Sequence, residues 1–163
     1  MAKLGDMKVQ VRRTSHLTLR CKDLGASRGF YEGILNLFSI GEDERGRVYL
    51  AGDPDTRIPV LALEQAEGED NPTPTPKKMY GLEHFAMEVG SLDQLKAVYR
   101  RFRDTGTAID HTQDHGITNS LYFIDPDGNL IEVYHDVPRA EYPEPEYPFA
   151  SYGSIDEKLE KID

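Results

Sequence analysis

Three residues of this chain are of the types that hold a divalent metal and stand in matching contexts: His16, His84 and Glu132. The two histidines sit in similar strand-like runs 68 residues apart, and Glu132 lies in a later strand-like run. In an extended segment, residues two apart share a face. Glu132 therefore shares a face with Leu130 and Tyr134, while its neighbours Ile131 and Val133 point the other way. An ionised carboxylate buried there without a partner would cost several kcal/mol, so it needs water or a cation. Taken singly, a strand histidine is ordinarily packed or solvated, and a strand glutamate is ordinarily the polar alternate of a half-exposed sheet. Taken together, two imidazoles and a carboxylate on one side of an ion make the facial triad of non-haem Fe(II), with positions left open for reactants.

The elements that must position these groups can be read from periodicity. Residues 14–20 alternate like a strand, and residues 23–37 read as a helix, capped by Asp23 with Phe30, Tyr31, Ile34 and Leu35 on its apolar face. Residues 47–51 and 59–63 are strand-like around a Gly-Asp-Pro-Asp turn. The order then recurs. Residues 82–89 are strand-like, and residues 91–103 are helical, with Ser91 and Gln94 fitting a capping box. Residues 120–124 and 129–134 are strands around Asp125-Pro126-Asp127-Gly128. Tyr31 and Tyr99 repeat at the same 68-residue offset as the histidines.

This predicts an α+β fold of two βαβββ units, about residues 13–64 and 81–135, forming a half-open mixed β-barrel with helices outside. Residues 65–80, rich in proline and polar residues, read as a linker. Together these make one domain over residues 1–135. Residues 136–163, where prolines alternate with Glu and Tyr, read as an extended arm rather than core, with Ser154 and Glu157 capping a last short helix through Ile162.

Composition narrows the function. With 163 residues and a net charge of -10, the chain is about one domain and lacks the sustained basic stripe that phosphate binding requires. Arg12-Arg13, Lys77-Lys78 and Arg100-Arg101 are isolated pairs. A single cysteine, Cys21, excludes a disulfide framework and a thiolate zinc cluster. No apolar run is long enough to span a bilayer and the start lacks a signal-peptide pattern, so a cytoplasmic protein is expected, with no nucleic-acid or membrane partner.

The run His115-Gly116-Ile117-Thr118-Asn119-Ser120-Leu121-Tyr122-Phe123-Ile124-Asp125-Pro126-Asp127-Gly128-Asn129-Leu130-Ile131-Glu132 is more specific. With the repeat and the two histidines, residues 13–135 resemble the vicinal oxygen chelate superfamily (glyoxalase, bleomycin-resistance and dioxygenase proteins). They look most like its small single-domain type I extradiol ring-cleaving dioxygenases. The resemblance implies Fe(II), with Mn(II), Zn(II) or Ni(II) as alternatives, held by His16, His84 and Glu132. It implies His115 as acid/base and Tyr122 as hydrogen-bond donor to a substrate oxygen. The substrates would be a catechol-like aromatic diol and dioxygen, in aromatic-compound catabolism. It also implies a homo-oligomer, a dimer being the expected form, with the units paired within a chain or swapped between chains.

Other readings stay open at this point. Where such dioxygenases carry a further histidine, Arg57 is the residue that could supply a compensating charge. Glu64 lies 48 residues after His16, as Glu132 lies 48 after His84, and a two-His, two-Glu set would resemble the isomerase glyoxalase I. Alignment on the Asp-Pro-Asp turns instead sets Val60 opposite Glu132. His111 and His135 are spare histidines near the motif. A binding module that keeps the fold without catalysis is the third reading.

Overall fold

A computed structural model of the chain describes residues 13–56, 58–68, 81–142 and 151–161. Its first unit runs β1 (Leu17–Cys21), α1 (Leu24–Gly33), β2 (Phe38–Glu42), β3 (Val48–Ala51) and β4 (Leu61–Gln65). The second runs β5 (His84–Glu88), α2 (Leu92–Thr105), β6 (Ile109–Asp114), β7 (Thr118–Ile124) and β8 (Leu130–Asp136). Each unit forms one four-stranded sheet, ordered β1-β4-β3-β2 and β5-β8-β7-β6, with the first and last strands parallel and the others antiparallel. The expected pair of βαβββ units is present, as two separate sheets.

Local chemistry explains the helices. Asp23 accepts from the Ala26 amide at 3.0 Å and starts α1, and Ser91 accepts from the Gln94 amide at 3.3 Å and starts α2. Gln94 reaches back to the Gly90 amide at 2.7 Å, one residue before the cap that a capping box would satisfy. Gly106, at φ 69°, adopts the left-handed conformation that ends α2. α1 stops at Gly33, short of the sequence expectation, and Ile34, Leu35 and Leu37 then pack against the core from outside the helix.

Two strands, β2 and β6, escape the periodicity reading. Both are edge strands at the far side of their sheets and both carry a bulge, so their residues do not alternate cleanly. Gln65, expected in the linker, ends β4; its amide accepts from Leu24 N and donates to Lys22 O. Residues 69–80, most of the expected linker, lie outside the described residues.

The two units share one core. Phe30 of α1 meets Phe102 of α2 and Phe123 of β7 with ring centroids 6.4 and 5.9 Å apart, and Phe102 and Phe123 are 4.6 Å apart. Loss of such a ring costs about 3–5 kcal/mol. The turn after β7 is tied to the first unit by polar contacts: Asp127 accepts from Lys22 N at 2.7 Å and Ser27 Oγ at 2.6 Å.

The end of the C-terminal segment belongs to this core, which corrects the reading of it as an arm apart from the core. Ile155 and Leu159 are fully buried in the same cluster, on α3 (Asp156–Glu160) and its cap. Tyr152 and Gly153 exchange backbone hydrogen bonds with Asp114 at the end of β6, and Lys158 reaches Asp114 at 2.8 Å and Asn119 at 3.0 Å. Residues 143–150, with Tyr147 and three of the arm's prolines, and Ile162 lie outside the described residues.

Candidate functional site

Strand register assembles the site on one face of the second sheet. β5 runs parallel to β8 with Ala86 opposite Glu132, and β7 runs antiparallel to β8 with Tyr122 opposite Glu132. His84 lies two residues before Ala86 and so shares its face. Ala86 is small and exposed, so its side chain does not stand between His84 and Glu132. His84 Nε2 lies 3.2 Å from Glu132 Oε2, and the Glu132 side chain is only 10 % exposed.

Tyr122 forms the wall beside this pair. Its ring meets the His84 ring edge-on, with centroids 5.4 Å apart, and its hydroxyl lies 3.2 Å from His115 Nε2. Burial first, and then the Glu132 charge and a hydrogen bond to it, push the phenol well above its usual range. The hydroxyl therefore stays protonated and remains a donor. His115 sits in the tight connection between β6 and β7, where its amide donates to Thr118 O at 2.9 Å. Asp114 beside it accepts from Gly116 N. Burial works against ionisation of Asp114, but Lys158, the Gly116 amide and His115 together hold its carboxyl below the usual range.

The donor set fits a divalent cation as far as this pair goes. Two ligands bound side by side at about 2.1 Å from an ion lie about 3 Å apart, and the His84–Glu132 contact has that span. An imidazole and a nearly buried carboxylate suit Fe, Mn, Zn or Ni. The third expected donor is elsewhere. His16 immediately precedes β1, is exposed, and neighbours Ser15 Oγ at 3.3 Å and the Tyr49 ring at 6.4 Å between centroids. Among the described residues no three His, Cys, Asp or Glu side chains gather as a metal-holding group. One chain thus brings together His84, Glu132, Tyr122 and His115, but not His16.

Register also decides between the two first-unit residues compared with Glu132, and selects neither. Thr18 pairs with Ala62 as Ala86 pairs with Glu132, so Ala62 occupies the equivalent place, midway between Val60 and Glu64. Tyr49 faces Ala62 as Tyr122 faces Glu132. Glu64 lies one step further and is held by Arg47 at 3.2 Å and Arg20 at 3.8 Å. Arg57 lies outside the described residues. His135, on β8, borders a surface cavity with Asn119 and Val137. His111, a spare histidine by sequence, stacks on the Tyr122 ring at 4.1 Å. Only the strand pairing of β6, invisible to periodicity, reveals that contact.

The model of the Glyoxalase/Bleomycin resistance protein/Dioxygenase superfamily matches residues 13–133. The chain belongs to that superfamily. Its members typically bind a divalent metal, and the two sheets seen here are the glyoxalase-like fold. Biphenyl-2,3-diol 1,2-dioxygenase 3 of Rhodococcus globerulus is 32% identical over 124 residues, which cover 76% of this chain and 63% of that protein. The chain thus matches less than two thirds of that dioxygenase. Metallothiol transferase FosB of Staphylococcus saprophyticus is 24% identical over 157 residues, covering 94% of this chain and 97% of that protein. Among solved structures, a glyoxalase/dioxygenase from Nostoc punctiforme superposes with a TM-score of 0.65 at 25% identity, covering 85% of this chain and 97% of that one. No helix among the described residues is long and apolar enough to cross a membrane.

Proposed function

We propose that this superfamily member is a metal-dependent extradiol dioxygenase that opens a catechol-like ring with dioxygen. The observation that carries the reading is the convergence on one sheet face of the His84–Glu132 pair and the Tyr122–His115 pair, each at 3.2 Å. The likeness to a biphenyl-2,3-diol dioxygenase supports it. His84 and Glu132 would hold Fe(II), with His16 as third ligand from the first unit of the same chain or of a second copy in a dimer. Bound there, the ion would supply Lewis-acid activation of the diol and of dioxygen.

The chain's own groups do the rest. His115 Nε2 takes a proton from a substrate hydroxyl and returns it as the ring opens. The Tyr122 hydroxyl, kept protonated, donates a hydrogen bond to a substrate oxygen and holds the ring in register with His115. Ala86 is exposed on this face, while the nearly buried Glu132 keeps its charge away from bulk water.

Anaerobic reconstitution with Fe(II), followed by air and a panel of catechols, should give yellow ring-fission product. Loss of that product in His115→Ala with metal content retained would assign the acid/base role. Failure with every catechol, together with methylglyoxal–glutathione turnover on Ni(II) or Zn(II), would favour the isomerase reading.

A further inference from the structure

We propose that Asp110 and His111 form a positioning pair that sets the plane of the Tyr122 ring, and with it the direction of the Tyr122 hydroxyl toward His115. His111 is the cross-strand neighbour of Tyr122 in the β6–β7 ladder. Its ring lies over the Tyr122 ring with centroids 4.1 Å apart and planes 7° from parallel. Its Nδ1 is 2.7 Å from Asp110 Oδ2, so Nδ1–H donates to the carboxylate and the imidazole is held in one orientation. The Tyr122 ring is thereby covered on one face by His111, touched edge-on by His84 and tethered at its hydroxyl by His115.

The backbone arranges this contact through a bulge. Ile109 pairs with Phe123, yet it is His111, two residues on, that pairs with Tyr122, one residue back. Without the extra residue, Asp110 would oppose Tyr122 and His111 would point with Ile109 toward the core. The bulge turns His111 onto the site face and leaves Asp110 beside it. Re-aiming a side chain is what bulges near reaction centres do.

The first unit supplies an internal comparison. β2 carries the same bulge, between Ser39 and Gly41, and Gly41 pairs with Tyr49. The backbone device is therefore common to both units, but a glycine stands where the second unit has His111. Among the described residues, a stacked ring over the tyrosine occurs in the unit whose tyrosine faces Glu132 and not in the one whose tyrosine faces Ala62. A purely structural bulge would not need the imidazole.

The kinetic half of this proposal rests on the ring-opening reading; the structural half does not. The test uses protein labelled with 13C-tyrosine, the Tyr122 signals being assigned by their loss in Tyr122→Phe. His111→Ala should move the Tyr122 ring signals, and Asp110→Ala should move them in the same direction by less. His111→Phe, which keeps a flat ring in place but cannot donate to Asp110, should bring them back to where Asp110→Ala leaves them. Ring-opening kcat should fall about tenfold in His111→Ala with KM little changed, and recover in part in His111→Phe, to the level of Asp110→Ala. Unmoved Tyr122 signals in His111→Ala would overturn the proposal, as would an altered signal with unaltered kcat, or no recovery in His111→Phe. If the wild type opens no catechol, the ring-opening reading fails by itself and the Tyr122 signals alone decide the positioning. Should His111→Ala not fold, His111→Ser takes its place with the same readouts.

Discussion

The Tyr31 hydroxyl donates to Asp125 Oδ2 at 2.8 Å across 94 residues of sequence, joining the helix of the first unit to the β7–β8 turn of the second. Asp125 also accepts from the Asp127 and Asn129 amides and from Asn129 Nδ2, so one buried carboxylate organises both the turn and the contact between units. Burial and then the Asp125 charge push the Tyr31 phenol far above its ordinary range, which keeps it a donor. A hydrogen bond to a charged, buried acceptor is worth about 1.5–3 kcal/mol. Tyr31→Phe should therefore lower stability by about 2 kcal/mol, read as a reduced midpoint in urea with an unchanged slope. An unchanged midpoint would show that the turn holds without its clamp.

Glu132→Gln should abolish tight binding of a divalent metal while leaving the fold intact. The loss should exceed the roughly 10–100-fold seen when only a group behind a ligand is disturbed. Titration of the metal-free protein with Fe(II) or Mn(II), alongside circular dichroism, measures both. Equal affinity in the variant would remove Glu132 from the ligand set.

Glu64→Gln should leave metal affinity unchanged, because Glu64 is engaged by Arg47 and Arg20 and stands one step beyond the position equivalent to Glu132. The same titration applies. A fall comparable to that of Glu132→Gln would bring back a two-His, two-Glu site of the isomerase kind.

The Cys21 thiol should resist alkylation in the native protein. Burial above all pushes it up to about 11; the Ser27 hydrogen bond opposes this, and the nearby Asp127 and Asp125 charges add to it. At pH 8 almost no thiolate is present and the sulfur is inaccessible. Iodoacetamide labelling followed by mass spectrometry should show modification only after denaturant is added. Rapid labelling of native protein would mean that the core around β1 opens.

Acid should loosen the β6–β7 connection that carries His115. The Asp114 carboxyl is held below its unfolded value by Lys158, the Gly116 amide and His115, against the opposing effect of burial. Its stabilising contribution is therefore full above the ordinary carboxylate range and is lost as pH falls through the lowered folded-state value. Asp114→Asn should flatten the acid limb of the stability–pH curve and raise hydrogen exchange in the C-terminal segment that Lys158 anchors. An unaltered acid limb would place the acid sensitivity elsewhere.

Sequence by itself determined the repeat, α1 and α2 with their caps, six of the eight strands among the described residues and the residue types at the candidate site. Those features are local: apolar period, cap chemistry, the Asp-Pro-Asp-Gly turn and the matching contexts of His16 and His84. Tertiary structure decided what depends on pairing across strands. Val60, Ala62 and Glu64 are spaced by two and fall on one face, so the sequence pattern does not choose among them, and only the ladders show that Ala62 matches Glu132. The bulge in β6 hides its strand pattern from any periodic reading and at the same time places His111 on Tyr122. The burial of Ile155 and Leu159 likewise depends on packing against α2 and on Thr112 of β6, which accepts from the Ile155 amide; a proline- and glutamate-rich tail does not reveal this. His16 marks the division most clearly. Its type and spacing are plain in the chain, yet its place is set by how two whole sheets meet, a non-local relation that no local pattern encodes.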